Sequence, residues 1–240
     1  MILFAKIIIG TLPSLIWLIF YLQQDKHPES KKMILKVFCY GMLIAFPAIL
    51  LETGLLKVSE IFLPADMQIF TFSLIVIVNA LIGVALVEEV LKYFVIREAV
   101  LRNPEFDEPM DAMIYMIVSA LGFAALENIL VLLSLSPAFE IGETIPVITL
   151  RFIGATLLHA LTSGVLGYFL ALSFFGKKKR VFVCGLLMVV LLHGLFNFSI
   201  IEIEGWFSIL IPVIILIFLA IFIAYAFNKV KKIKSVCKIY

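Results

Sequence analysis

The chain has 240 residues, of which 63% are hydrophobic and 15% charged, with 19 Lys and Arg against 17 Asp and Glu. So apolar a composition excludes a water-soluble fold, whose surface must be covered by polar side chains. The near-balance of charge gives no sign of a nucleic-acid partner. Three cysteines, Cys39, Cys184 and Cys237, lack any C-x-x-C spacing, which argues against a disulfide framework or zinc knuckle. The first two read as packing residues, and Cys237 falls in a basic tail.

Apolar runs occupy 2–22, 33–56, 69–97, 111–135, 146–175, 181–201 and 206–227. Each is long enough to cross a bilayer, which takes about 20 helical residues. The chain is therefore expected to be all-α, a polytopic integral membrane bundle of about seven transmembrane helices. The first run carries only Lys6 near its start and no small-residue cleavage pattern, so it reads as a retained helix rather than a signal peptide. Lys26, Lys31, Lys32 and Lys36 flank the first connection, and Arg97 and Arg102 flank the third. Lys177, Lys178, Lys179 and Arg180 form the fifth, and Lys229, Lys231, Lys232, Lys234 and Lys238 follow the last helix. The even-numbered connections are mainly acidic. The positive-inside rule then places the N-terminus outside and the C-terminus in the cytoplasm of a multi-pass cell-membrane protein. No linker divides the chain, so 1–240 reads as one membrane domain, with its chemistry at about 85–200 and a basic cytoplasmic tail at 228–240.

An ionisable side chain at the centre of a span costs about 2.5–3.5 kcal/mol on insertion scales, so each one needs a reason. The deep set is Glu88, Glu89 and Lys92 in the third span, Glu127 and Asn128 in the fourth, His159 in the fifth, and His193 and Asn197 in the sixth. Arg151 lies nearer the outer end of the fifth, at a different height from Glu127. At about 1.5 Å per residue the deep groups fall within about two helical turns of one level, as a single internal cavity requires. Lys92 stands four residues from Glu88 and three from Glu89, so it can pair with either. Adjacent carboxylates point apart, so one is expected on Lys92 and the other toward the cavity. His193 and Asn197 share a face, as do His159 and Ser163. Gly122, Ala124, Ala125, Ala160, Gly164 and Gly167 would let the backbones close around them.

Bland readings exist for each piece. A Glu–Lys pair can be a clamp, Glu127 can serve only to neutralise Arg151, and Asn128 and Asn197 can bridge helices. A single buried His is more often packing than chemistry. Two imidazoles and a carboxylate at one depth outweigh these readings.

Such a set suffices for amide hydrolysis: the carboxylate takes a proton from water, one imidazole assists, and the other His with Asn holds the oxyanion. The same Glu88, His159 and His193 could instead bind zinc with a position left for water. There is no His-Glu-x-x-His run, and the candidate ligands lie on separate helices, so spacing leaves both chemistries open. The expectation is an enzyme without an obligatory cofactor, with zinc as the alternative. No Gly-x-Ser-x-Gly elbow, P-loop or dinucleotide fingerprint is present. Two other classes remain: a proton- or ion-coupled transporter using Glu88, Glu127 and the histidines as a relay, and a non-catalytic scaffold or immunity protein of the same fold.

Glu88-Glu89-Val-Leu-Lys92, Asp111-Ala-Met-Ile-Tyr115, Gly122-Phe-Ala-Ala-Leu-Glu127-Asn128, Arg151 followed by His159 and Gly167-Tyr168, and His193-Gly-Leu-Phe-Asn197 occur in this order. Together they resemble the PrsW-family intramembrane proteases, relatives of the CAAX prenyl endopeptidases and bacteriocin-processing proteins. The resemblance implies a glutamate-dependent endopeptidase acting on a membrane-associated protein or peptide in the lipid bilayer. It implies that Glu88 activates water with help from His159, that His193 and Asn197 hold the oxyanion, and that Glu89 supports them. Glu127 and Asn128 would be structural or substrate-positioning. CAAX endopeptidases typically carry Glu-Glu-x-x-x-Arg and a Phe four residues before the first catalytic His. Here Lys92 and Ala155 stand instead, which disfavours prenyl-protein processing.

Overall fold

A computed structural model describes residues 2–25, 27–64, 67–69, 72–135, 141–176 and 179–232. The expected Lys26, Lys177, Lys178, Lys234, Cys237 and Lys238 lie outside these residues. Among the described residues, seven helical segments are long and apolar enough to cross a membrane: Leu3–Leu22, Lys31–Phe62, Leu74–Ala99, Pro109–Ser134, Thr144–Phe174, Arg180–Glu202 and Phe207–Val230. The all-α membrane architecture and the span count follow the apolar runs.

The helices are α1 (Ile2–Leu22), α2 (Lys31–Phe62), α3 (Leu74–Val78), α4 (Val87–Ala99), α5 (Pro109–Ser134), α6 (Ile141–Ile153), α7 (Ala155–Phe174), α8 (Lys179–Glu202) and α9 (Phe207–Val230). The third span is α3, a π-helical stretch at Asn79–Leu86, and α4. The fifth is α6 and α7, separated at Gly154.

Two departures from the apolar runs have local causes. The run expected to be helical from residue 69 begins instead with a short antiparallel pair, β1 (Gln68–Ile69) and β2 (Phe72–Ser73), in register Gln68↔Ser73 and Ile69↔Phe72. The second helix continues beyond 56 to Phe62, because Lys57 and Glu60 interrupt the apolar run without breaking helix, and no Gly or Pro stands between 56 and Pro64.

Helix starts carry their own signals. Ser30 caps α2, its hydroxyl accepting from the Met33 amide. Glu108 and Asp111 form a capping box with Pro109 at the start of α5. The Tyr115 hydroxyl donates to Glu29, and Ser30 donates to Glu105 at 2.7 Å, tying the first connection to the third. These two basic-flanked connections therefore meet at one end of the bundle.

Buried α5 and α7 form the centre, with α1, α2, α8 and α9 around them. Small residues make this possible. A β-carbon added to Gly122 would lie 2.1 Å from the Phe38 carbonyl oxygen, and one on Gly167 would lie 2.6 Å from that of Ala112. Only a residue without a β-carbon lets these backbones touch. Large apolar side chains on α1, α2, α8 and α9 point outward, as lipid contact allows. Cys39 and Cys184, expected in the packing, are exposed thiols on this outer surface. The spacing that put them on apolar helices could not say which face they occupied.

Candidate active site

The π-helical stretch directly precedes Glu88 and Glu89. Its wider turn holds an extra residue and so rotates the following helix relative to a continuous α-helix. On that helix Glu88, Glu89 and Lys92 are all buried, Glu89 and Lys92 completely. The Lys92 ammonium donates to Glu88 Oε2 at 2.9 Å and to Glu89 Oε1 at 3.0 Å. Its Nζ also lies 2.8 Å from His159 Nδ1 and sits 4.7 Å from the centre of the Phe123 ring. Both carboxylates therefore reach the same ammonium, against the expectation that only one would. The long lysine side chain places its charge between two residues whose Cα–Cβ bonds diverge.

Each imidazole is oriented by a second carboxylate. His159 Nε2 lies 2.8 Å from Glu127 Oε2, so this nitrogen carries the proton and donates. Nδ1 is left as the acceptor facing Lys92. His193 Nδ1 lies 2.9 Å from Glu89 Oε1, which assigns its proton to Nδ1 and leaves Nε2 bare. Glu88 Oε2 is 3.5 Å from His159 Nδ1 and 3.9 Å from His193 Nε2. The imidazole rings stand edge to face with centres 5.2 Å apart.

Glu127 also pairs with Arg151 Nη2 at 3.0 Å, while Arg151 Nε donates to the side-chain oxygen Oδ1 of Asn128. The Asn128 amide in turn donates to Thr156 Oγ1 at 3.0 Å. Arg151 thus joins the site despite its different position along the span. Glu127 does more than neutralise it, because its other oxygen holds His159.

A cleft of about 300 Å³ opens above this cluster, lined by Glu88, Glu127, His159 and His193 on its floor. Arg151, Gly154, Ala155 and Leu158 form one wall, and Phe196, Asn197, Ile200 and Ile201 form the other. Asn197 faces the cleft and is not engaged with the carboxylates or imidazoles.

Several supporting groups were not singled out for these roles in the sequence. Thr162 and Ser163 donate to the two oxygens of Glu89, each at 3.1 Å. Ser163 thus serves Glu89 rather than His159. Ser119 donates to the Lys92 carbonyl at 3.2 Å. Glu52 on α2 has one buried oxygen with no hydrogen-bond partner, and it feels the charges of Glu88, Glu127 and Lys92. Ala45, Ala48 and Glu52 follow helical spacing, and the two alanines pack against Phe123 and Leu126. That pattern was the available signal for Glu52 facing inward.

Fold and site together define a multi-pass cell-membrane protein with a buried carboxylate and two oriented imidazoles beneath an intramembrane cleft. Residues 29–225 match the family described as PrsW family intramembrane metalloprotease. Protease PrsW of Geobacillus kaustophilus is 30% identical over 207 residues, covering 85% of this chain and 83% of that protein. The protein of the same name from Oceanobacillus iheyensis is 29% identical over 215 residues, 88% and 89% of the two chains. That of Bacillus subtilis is 29% identical over 237 residues, 97% of each. No solved structure matches. The chain belongs to the PrsW family.

Proposed function

We propose that the protein is a membrane-embedded endopeptidase that hydrolyses a peptide bond in a membrane-associated protein, with Glu88, His159 and His193 at the reacting centre. The observation that carries this reading is the convergence of one carboxylate oxygen and two unprotonated imidazole nitrogens, His159 Nδ1 also accepting from Lys92, on the floor of the cleft. Both rings are held from behind by carboxylates.

In this reading the substrate carbonyl lies over Glu88, and Glu88 takes one proton from a water in the cleft. The resulting hydroxide adds to the carbonyl carbon, the C–N bond breaks, and the same proton passes to the leaving amine. Asn197, which lines the cleft one helical turn from His193, donates to the developing oxyanion. Lys92 fixes Glu88 and Glu89 in place, and Glu127 with Arg151 fixes the His159 ring.

The donor set also fits a zinc ion. Glu88, His159 and His193 each offer an atom, all within 4.8 Å of one another, and the Lys92 ammonium, which bonds Glu88 Oε2 and His159 Nδ1, would have to release these two atoms to the metal. The pairing of each ring's other nitrogen with a carboxylate is the usual support for a metal-bound histidine. The metalloprotease description of the family agrees with this fit. When bound there, zinc would act as a Lewis acid and lower the pKa of water. A transporter relay is less well supported, because Lys92 and Arg151 tie the carboxylates into fixed pairs.

By the distribution of basic residues the cleft faces the non-cytoplasmic half of the bilayer. Its walls end at Ile200 and Ile201, at the opposite end of α8 from Arg180.

The test compares the membrane proteomes of cells carrying wild-type and Glu88→Gln protein. A membrane protein that accumulates intact only with Glu88→Gln, at equal enzyme level, is the expected result. Identical proteomes would refute the reading.

A further inference from the structure

A second groove, of about 290 Å³, lies between α1, α7 and α9 and shares no lining residue with the cleft. Trp17, Tyr21 and Gln24 line it from α1, and Ala220, Ala224 and Phe227 from α9. Each set recurs at three- and four-residue spacing and so occupies one face of its helix. The groove exists because rings on α1 stand opposite two exposed alanines on α9, whose methyl groups leave the space between the helices unfilled. The Trp17 indole is fixed as a wall: its N–H donates to the Phe152 carbonyl at 3.0 Å, and it stacks on the Phe152 ring with centres 5.2 Å apart. Tyr21 and Phe227, both buried, stack with ring centres 6.3 Å apart and form part of the floor.

The groove ends at a membrane boundary. Gln24 follows the end of α1 at Leu22, and Phe227 lies in the last turn of α9, which ends at Val230. Basic residues mark this end of the bundle as cytoplasmic. From Ala220 to Phe227 the groove runs about 10 Å, against about 15 Å for the hydrocarbon of one leaflet. Beyond Phe227 the same face is continued by Lys231, whose amide bonds the Phe227 carbonyl at 3.3 Å. Lys231 and Lys232 are exposed. Lys229 falls half a turn away, on the opposite face of the helix. Asp25, next to Gln24 in the chain, lines a different groove with Pro28 and Glu29.

We propose that this groove binds an anionic phospholipid of the cytoplasmic leaflet, with one acyl chain lying along Ala220 and Ala224 against Trp17 and the headgroup phosphate held by Lys231 and Lys232. Nothing in this site depends on the peptidase reading. Lipid tails are as apolar as the lining, so the chain itself gains little by entering the groove. Selection therefore falls to the headgroup. Each lysine close to the surface favours an anionic headgroup by about fivefold, and Gln24 brings an amide donor to the same mouth. A zwitterionic lipid would fill the same space and leave the lysine charge to water. Basic residues after the last span set topology in any case. Topology does not require that an apolar groove should end beneath them.

The test uses the full chain with Trp206→Phe, which leaves Trp17 as the only indole of a protein with two tryptophans. It is reconstituted in vesicles of phosphatidylcholine with a minor share of phosphatidylglycerol. The acyl chains are brominated on the phosphatidylglycerol in one series and on an equal amount of phosphatidylcholine in the other. Quenching of Trp17 should show a preference of about fivefold or more for the anionic lipid. Lys231→Gln should lower that preference several-fold, whereas Lys229→Gln should leave it in place. Ala224→Leu fills the groove while keeping every lysine, so it should also remove the preference, and it decides the matter if Lys231→Gln does not insert. Equal quenching by the two brominated lipids would overturn the proposal, as would equal losses in Lys229→Gln and Lys231→Gln. A preference unchanged by Ala224→Leu would show attraction to the charged surface alone and overturn the groove. Emission unaffected by either lipid would show the groove covered by protein, with the same consequence.

Discussion

Replacing Lys92 by Met removes the cation that holds the centre together. The ammonium is completely buried, bonded to Glu88 at 2.9 Å and Glu89 at 3.0 Å, and it lies 2.8 Å from His159 Nδ1. Methionine matches the length of the lysine stem, so packing is nearly kept while two buried carboxylates lose their partner. Breaking a buried pair from one side costs about 3–5 kcal/mol, most of it from the charge left behind. Glu89 retains Thr162, Ser163 and His193 as partners, which places the loss toward the lower end. The assay is reversible unfolding in mixed detergent micelles, followed by far-ultraviolet circular dichroism. A cycle through Glu89→Gln and Glu89→Gln/Lys92→Met isolates the pair, and coupling of about 0.5–3 kcal/mol is expected for groups in contact. A loss for Lys92→Met below about 1 kcal/mol, the range of an exposed pair, would show that the ammonium is solvated, and the reasoning about the centre would fall.

Arg151→Ala should lower turnover of the membrane protein that accumulates with Glu88→Gln about 10- to 100-fold, since a group that orients a reacting histidine through its carboxylate is lost. Arg151→Lys should not restore it, because Asn128 and Glu127 are reached from separate guanidinium nitrogens, Nε and Nη2, and a single lysine nitrogen does not span both positions; full activity in either variant would refute this role. Gly122→Val should cost at least about 1–3 kcal/mol through overpacking against the Phe38 backbone. Gly54→Ala, where nothing lies within 4 Å of the added carbon, should not destabilise by more than about 0.5 kcal/mol, and equal unfolding midpoints for the two variants would contradict the packing described. Elemental analysis of wild-type protein purified without chelator tests the zinc alternative, under which about one zinc per chain is carried and is lost in both His159→Ala and His193→Ala. Zinc retained by both variants would remove the fit of these three residues to a metal.

The membrane class, the number of spans and the deep polar residues that meet in the candidate site were legible in the amino-acid order alone. Each depends on a cost paid locally: a run of about 20 apolar residues must cross the hydrocarbon, and an ionisable group within it must find a partner. Glu88, Glu89, Lys92, Glu127, His159 and His193 were visible for that reason. Partnership was not, because it depends on how helices far apart in sequence are rotated and how closely they pack. Only the tertiary structure brought both glutamates to Lys92, turned Glu127 to His159 and Arg151 together, and directed Glu52 inward. The bend at Gly154 and the reach of a guanidinium cancelled a height difference that counting along straight helices had put between Arg151 and Glu127. A π-helical turn and the contact of glycine with a neighbouring backbone set such rotations, and neither leaves a period in the sequence that local rules can read.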